Sequence, residues 1–307
     1  MTTEIIHGDA LTELSKMPPD SVQMCVTSPP YFGLRDYGVT GQIGQEQSVE
    51  AYVAALVAVF DQVRRVLKPD GTLWLNLGDS YAANRGGFAN GSSDGGVRRG
   101  PRGEASVKPP VGLKPKDRMM IPARVALALQ ADSWWLRDEI VWHKPRTTPS
   151  SVKDRTCAAH EMVYLLAKSE RYYFDYLAIE EPSKYPGLTR GRKKAFREHE
   201  GNASAHRKVA GFYQDHVVVR ETRRKRSVWS VSPEPYRDAH FATFPTALIE
   251  PCILAGSRPG DVVLDPFFGA GTTGLVASRH GRACIGIELN GDYVALAASR
   301  LRLGVFA

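Results

Sequence analysis

The spacing of apolar and polar residues along the chain predicts strands that alternate with helices. Short apolar runs of the kind that form buried strands lie at 5–7, 22–26, 72–77, 136–143, 161–167, 262–264 and 283–287. Apolar residues recur at helical spacing between most of these runs. Such alternation favours an α/β fold whose sheet is mostly parallel and covered by helices on both faces.

The longest predicted helix follows a glycine-rich loop at 32–47. Ser48 is placed to cap it, because a serine hydroxyl can accept a hydrogen bond from a free amide of the first turn. Pro122 suits the first turn of a second helix. The apolar residues at helical spacing in the first helix are Tyr52, Leu56, Val59, Phe60, Val63, Val66 and Leu67, and the second helix carries Val125, Leu127 and Leu129.

Two segments lack any regular period. Residues 84–118 are rich in Gly, Ser, Pro, Arg and Lys, and we expect a mobile basic insertion, either plain or ordered by nucleic acid. Residues 183–226 also show no period. The predicted domains are therefore 1–181 and 236–307, forming one catalytic domain, with an inserted region at 182–235.

The charge distribution points to an anionic partner. The net charge is +7 for the whole chain, yet residues 184–226 alone hold thirteen Lys or Arg against four Asp or Glu, a net of +9. Aromatic residues interleave with these charges, as in surfaces that contact phosphates and bases. They are Tyr185, Phe196, Phe212, Tyr213 and Trp229.

The four cysteines are widely spaced and include no Cys-x-x-Cys pair. Cys25 and Cys284 lie inside apolar runs and are expected to be buried. We therefore expect neither a zinc site nor a disulfide framework, which fits a reducing compartment such as the cytoplasm. No apolar run reaches membrane-spanning length, so no membrane association is expected.

A glycine-rich motif near the end of the chain carries the first candidate site. Asp265–Gly274 reads Asp-Pro-Phe-Phe-Gly-Ala-Gly-Thr-Thr-Gly and separates a predicted strand from a predicted helix. Glycines there let a ligand approach the backbone, and Glu288, at the next strand end, suits a ribose hydroxyl. The motif alone leaves three interpretations open: a plain turn, an NAD or FAD site, or a site for S-adenosylmethionine (SAM).

A second motif, Thr-Ser-Pro-Pro-Tyr at Thr27–Tyr31, follows the predicted strand at 22–26. Together the two motifs resemble the SAM-dependent amino-methyltransferases of DNA, in the circularly permuted beta class of that family. Gly8–Leu11 and His240–Pro245 are similar to its further cofactor elements. The resemblance implies a doubly wound, mostly parallel sheet of seven strands, with Ile5–His7 completing the sheet beside the Glu288 strand.

The same resemblance implies roles for individual residues. The catalytic motif is Ser28, Pro29, Pro30 and Tyr31, where an acceptor holds the target amine and Tyr31 stacks on a flipped base. The cofactor residues are Asp9, Phe244, Asp265, Phe267, Gly269, Gly271, Thr272, Thr273 and Glu288. The candidate DNA contacts in the basic region are Arg190, Arg192, Lys193, Lys194, Arg223, Arg224, Lys225 and Arg226.

The expected activity is transfer of a methyl group from SAM to an exocyclic amine in double-stranded DNA. Ser28 favours N4-methylcytosine, because cytosine enzymes of the family mostly carry serine there and N6-adenine enzymes mostly carry Asp or Asn. The resemblance also allows a homodimer, a cognate restriction endonuclease and a nucleoid-associated location. An NAD- or FAD-dependent oxidoreductase and a non-catalytic DNA-binding protein remain as alternatives.

Overall fold

The computed structural model describes residues 2–34, 37–82, 112–147, 150, 152–184, 186–187, 189–191, 216–218, 220–233 and 244–302. The chain divides into two compact units. The larger unit comprises Met1–Ala178 and Arg226–Ala307, and the smaller comprises Ile179–Lys225. Most of the predicted insertion at 84–118 lies outside the described residues.

The larger unit is built on one mixed β-sheet to which helices are connected. The strands of the described chain, in both units, are β1 Thr3–His7, β2 Val22–Thr27, β3 Leu67–Leu77, β4 Trp135–His143, β5 His160–Ala167, β6 Glu181–Pro182, β7 Thr189–Gly191, β8 His216–Val218, β9 Thr222–Arg223, β10 Val228–Ser230, β11 Val262–Asp265 and β12 Ala283–Glu288. The helices are α1 Ala10–Lys16, α2 Val49–Val66, α3 Ile121–Ala131, α4 Thr246–Gly256, α5 Thr272–Arg279 and α6 Gly291–Arg302.

The main sheet has the strand order β1-β12-β11-β2-β3-β5-β4-β10. Within the described residues it contains eight strands, one more than expected, because the short β10 adds to the edge formed by β4. Only β5 runs antiparallel to its neighbours, β3 and β4. The sheet is therefore mostly parallel, as predicted.

The first strand completes the sheet beside the last one. β1 pairs in parallel with β12, in a register that places Thr3 opposite Cys284 and His7 opposite Glu288. This pairing confirms the permuted arrangement expected from the sequence. It also brings the ends of β1 and β12 to the same edge of the sheet, where parallel α/β sheets bind ligands.

The core contains the apolar face of α2, although α2 ends at Val66 and Leu67 begins β3. Ser48 caps α2 by accepting a hydrogen bond from the Ala51 amide at 3.1 Å. The apolar residues identified at helical spacing from Tyr52 to Leu67 are all buried, as are Cys25 and Cys284. In α3, Val125 and Leu129 are buried, whereas Leu127 lies on the opposite face and is 61% exposed.

Trp229 belongs to the core and not to a basic surface. Its side chain is 5% exposed, and its ring lies 6.4 Å from that of Trp74. The indole Nε1 donates a hydrogen bond to the Arg226 carbonyl at 2.7 Å. The predicted contact of Trp229 with nucleic acid is therefore wrong, because β10 carries this large apolar ring into the main sheet.

Among its described residues, the smaller unit contains two pairs of short antiparallel strands. β6 pairs with β9, and β7 pairs with β8. Arg223 forms a salt bridge with Glu181 at 2.9 Å, which joins β9 to β6. The compact unit spans a shorter range than the predicted 182–235, and its role in recognising DNA stays a prediction. None of the helices in the described parts of the chain is long and apolar enough to cross a bilayer.

Candidate active site

Both motifs line one cavity at the carboxyl edge of the main sheet. Its volume is about 270 Å³. The loops after β1, β2, β11 and β12 all contribute to its walls, because the carboxyl ends of parallel strands meet at one edge. The predicted residues that line it are Asp9, Ser28, Pro29, Pro30, Tyr31, Phe244, Phe267, Gly269, Thr272 and Glu288.

The glycine loop depends on backbone conformations that glycine adopts easily. Gly269 has φ of +51° and Gly271 has φ of +78°, both in the left-handed region. Gly271 immediately precedes α5, so the free amides at the start of that helix face the loop. The local fold therefore offers backbone donors to a ligand beside the loop.

Glu288 connects the glycine loop to the end of β12. Its Oε2 accepts a hydrogen bond from the Gly269 amide at 2.7 Å, and its Oε1 accepts one from the Asn290 amide at 2.8 Å. Burial raises the pKa of this carboxyl, while the backbone hydrogen bonds oppose the rise. Two backbone amides thus fix the orientation of the carboxylate at the cavity wall.

Asp265 lies beneath the loop and not in the cavity. Its side chain is 1% exposed, and its oxygens accept hydrogen bonds from the hydroxyls of Thr27 and Thr273, each at 2.6 Å. Burial raises the pKa of Asp265 to about 6. The carboxyl ties the end of β2 to the start of α5.

Three predicted cofactor residues are therefore absent from the cavity lining: Asp265, Gly271 and Thr273. These residues lie behind the cavity wall, where they support the glycine loop. Their direct contact with a cofactor stays a prediction.

Asp9 begins α1 and also faces the cavity. Its Oδ1 accepts hydrogen bonds from the Thr12 amide at 2.9 Å and from the Thr12 hydroxyl at 2.8 Å. The amide of the neighbouring Gly8 donates to the Glu288 carbonyl at 3.0 Å. The element after β1 and the end of β12 therefore form one continuous wall.

Arg300 supports the glycine loop from α6 and was not expected from the sequence. The buried guanidinium donates through Nη1 to the Ala270 carbonyl at 3.2 Å and to the Thr272 hydroxyl at 2.9 Å. A lone arginine in an ordinary helical pattern carries no sequence signal for such a role.

The Ser-Pro-Pro-Tyr loop is fixed by hydrogen bonds at Pro30 and Tyr31. The Tyr52 hydroxyl donates to the Pro30 carbonyl at 2.8 Å. The Tyr31 hydroxyl donates to Glu161 Oε2 at 2.8 Å and lies 3.3 Å from Asn76 Oδ1. Burial raises the pKa of Tyr31, and the nearby charge of Glu161 raises it further, so the phenol keeps its proton.

Polar residues that the sequence did not single out complete the cavity. Glu161 forms a salt bridge with the Lys144 ammonium. Lys144 Nζ also lies 4.1 Å from the centroid of the Trp142 ring. Gln42 Oε1 accepts a hydrogen bond from the Tyr37 amide at 2.8 Å, and its buried Nε2 has no partner among the described residues. No short motif surrounds any of these residues, so only the fold reveals them.

The candidate DNA contacts are only partly described. Arg192, Lys193 and Lys194 lie outside the described residues, and for Arg190 only the backbone position in β7 is described. Arg223 is held by Glu181, as above. Arg224 and Arg226 are exposed and Lys225 is half-buried.

Comparison with known proteins identifies relatives over nearly the whole chain. The family model described as DNA methylase, of the N6/N4 methyltransferase type, matches residues 22–299. The chain is 46% identical to the Type II methyltransferase M.XycI of Xanthomonas campestris pv. cyanopsidis over 97% of this chain and 87% of that protein. It is 44% identical to M.Cfr9I of Citrobacter freundii, with the same coverage.

Solved structures share the fold. The cytosine-N4-specific PvuII DNA methyltransferase aligns with a TM-score of 0.65 at 22% identity, covering 97% of this chain and 87% of that chain. A putative DNA modification methylase of Thermus thermophilus, TTHA0409, was solved in complex with SAM. It aligns with a TM-score of 0.60 at 24% identity, covering 99% of this chain and 95% of that chain.

Proposed function

The chain belongs to the N6/N4 DNA methylase family, whose members use SAM as methyl donor, and we propose that it methylates the N4 amine of cytosine in duplex DNA. One observation carries the proposal. The Ser-Pro-Pro-Tyr loop and the glycine loop line the same cavity, and Ser28 occupies the first position of the former. Family membership excludes the oxidoreductase alternative.

The cavity residues fit SAM at the end formed by β11 and β12. Glu288 is placed to accept hydrogen bonds from the ribose hydroxyls, since its orientation is already fixed by two backbone amides. Phe267 and Phe244 offer apolar surface for the adenine ring, with Asp9 on the adenine side. When bound, SAM supplies an electrophilic methyl group on a sulfonium.

The residues of the Ser-Pro-Pro-Tyr loop suit an exocyclic amine. Such an amine is a poor nucleophile because its lone pair is delocalised into the ring. Ser28 Oγ and the Pro29 carbonyl are the proposed acceptors that hold its hydrogens and favour a tetrahedral nitrogen. The two prolines restrict the loop, and Tyr31 would stack on the target base, which must leave the duplex to reach the cavity.

Ser28 favours cytosine over adenine. A serine hydroxyl reaches less far than the carboxylate or amide of Asp or Asn. A shorter acceptor draws the base deeper into the cavity, which suits the smaller pyrimidine. Tyr31 stacks on either base and does not discriminate between them.

The basic segment at 182–235 is the proposed target-recognition region, with 84–118 as an accessory contact. The positive net charge of residues 184–226 complements the negative phosphates of DNA, which supply most of the non-specific affinity. The relatives named above are Type II methyltransferases, so a cognate restriction endonuclease is a reasonable partner. The proposed location is the cytoplasm, in association with DNA. Formation of a homodimer stays a prediction.

The test is to methylate DNA with the purified protein and SAM, digest the DNA to nucleosides and identify the product by mass spectrometry. N4-methyl-2′-deoxycytidine is the expected nucleoside. N6-methyl-2′-deoxyadenosine alone would contradict the cytosine assignment and leave the family chemistry standing. If no methylated nucleoside forms, the interpretation as a non-catalytic DNA-binding protein is favoured. Ser28→Ala should lose product, whereas Ser15→Ala, a surface serine of α1, should retain it.

A further inference from the structure

We propose that Glu161 is a positioning residue of the methyl-transfer site. Through the Tyr31 hydroxyl it orients the Ser28 hydroxyl, so that Ser28 Oγ presents its lone pairs to the target amine. The inference rests on the proposed function and extends it to a residue outside both motifs.

The contacts form a chain that runs from the Ser-Pro-Pro-Tyr loop to β5. Ser28 Oγ donates to the Tyr31 hydroxyl at 3.4 Å, and the Tyr31 hydroxyl donates to Glu161 Oε2 at 2.8 Å. All three residues line the cavity. The first contact is long, as catalytic hydrogen bonds often are before a substrate binds.

The direction of this chain follows from which groups can donate. A carboxylate paired with a lysine only accepts hydrogen bonds, so the single Tyr31 proton is directed towards Glu161. The Tyr31 oxygen is then left as an acceptor and takes the Ser28 proton. Both lone pairs of Ser28 Oγ remain available, which is what a donor such as the target amine requires.

Neighbouring groups fix Glu161 in this role. Asn76 Nδ2 lies 3.4 Å from Glu161 Oε2 and donates to the Met162 carbonyl at 3.1 Å, which turns Asn76 Oδ1 towards Tyr31. The Lys144 ammonium binds the other carboxylate oxygen, Oε1. This pairing matters because a half-buried carboxylate without a counter-charge would be strongly destabilising.

A charged end strengthens the whole chain. Hydrogen bonds that end on an ionised group are stronger than neutral ones, and linked hydrogen bonds polarise one another. Glu161 is therefore expected to make the Ser28 hydroxyl a better and more narrowly oriented acceptor. Its effect should appear in the chemical step and not in the binding of SAM.

The experiment compares Glu161→Gln, Tyr31→Phe and the double variant in steady-state methyl transfer from labelled SAM. Each single change should lower kcat about tenfold, the scale of one charged hydrogen bond, with the SAM Kd from calorimetry unchanged. The double variant should be no slower than Tyr31→Phe, because both changes interrupt the same chain. Glu50→Gln on α2 and Tyr172→Phe are matched controls outside the cavity.

Each outcome decides one question. Wild-type kcat in Glu161→Gln, or losses that multiply in the double variant, would overturn the positioning role. If Glu161→Gln does not fold, Glu161→Asp keeps the charge and moves the carboxylate back by one methylene. It should also lower kcat, and wild-type kcat would again overturn the role. An inactive wild-type protein would instead refute the proposed function.

Discussion

Tyr31 lies so close to Gly78 that a Cβ added to Gly78 would meet Tyr31 Cε2 at 2.4 Å. The residue that follows β3 therefore has to be glycine for the tyrosine ring to occupy its place in the cavity. The Tyr31 hydroxyl also donates a hydrogen bond to Glu161, so the ring cannot move without weakening that contact.

Gly78→Ala should lower kcat/KM for methyl transfer by about tenfold to a hundredfold, because a displacement of about 1 Å at a catalytic group has effects of that size. Gly291→Ala is the matched control, since its nearest neighbour would be His7 Cε1 at an ordinary 3.5 Å. Steady-state kinetics on both variants is the measurement. Equal kcat/KM values for the two variants would show that Tyr31 adjusts freely.

Glu288→Gln should weaken SAM binding about tenfold or more, the scale of one hydrogen bond to a charged group. Isothermal titration calorimetry measures the affinity, and thermal unfolding verifies that the variant is folded. Glu250→Gln is the control, because Glu250 is also a glutamate with a fixed partner but contacts His280 on the surface. A wild-type Kd would remove Glu288 from the cofactor site.

Arg224→Gln combined with Arg226→Gln should weaken DNA binding and flatten its salt dependence. If both side chains contact phosphates, the slope of log K against log salt should fall by about two. Lys16→Gln with Arg302→Gln removes the same charge from exposed positions outside the basic segment at 182–235. Fluorescence anisotropy across salt concentrations compares them. The same slope in both pairs would show that the effect is one of net charge alone.

Asp265 should make stability depend on pH in an unusual direction. Its folded pKa of about 6 lies above the usual 3.8, so the folded state binds this proton more tightly than the unfolded chain. The resulting stabilisation is complete below about pH 4 and is lost as the pH rises through about 6.

The Asp265→Asn variant has no carboxyl at this position that could bind or release a proton. The free energy of unfolding of the wild type relative to Asp265→Asn should therefore fall by up to about 3 kcal/mol between pH 4 and pH 7. Urea unfolding at both pH values measures it, with Asp61→Asn on the surface of α2 as the control. A pH-independent difference between wild type and Asp265→Asn would mean that the carboxyl is not titrating in this range.

The sequence predicted the order of elements because apolar periodicity reports on each strand and helix separately. It also placed both motifs at the same sheet edge, since each follows a strand of a parallel sheet. Side-chain direction was harder to predict. Asp265 stands at the motif position expected for the cofactor, yet its carboxyl is directed to Thr27 and Thr273.

Glu161 shows why other site residues were missed. Its partners Tyr31, Asn76 and Lys144 come from separate parts of the chain, and the pairing of β2, β3, β5 and β4 brings them together. Trp229 shows the converse error. Its basic neighbours suggested a surface, but an indole that fits against Trp74 is more stable when buried.

The pairing of β1 with β12 has a consequence for synthesis on the ribosome. The strand that emerges early must wait for a partner that is made more than two hundred residues later, at Ala283–Glu288. Until then, the edge of β1 is open and the wall formed by Gly8 and Glu288 does not exist. If this wall holds SAM as proposed, a nascent or stalled chain lacks part of the cofactor site, and methylation competence should appear only when translation has passed β12.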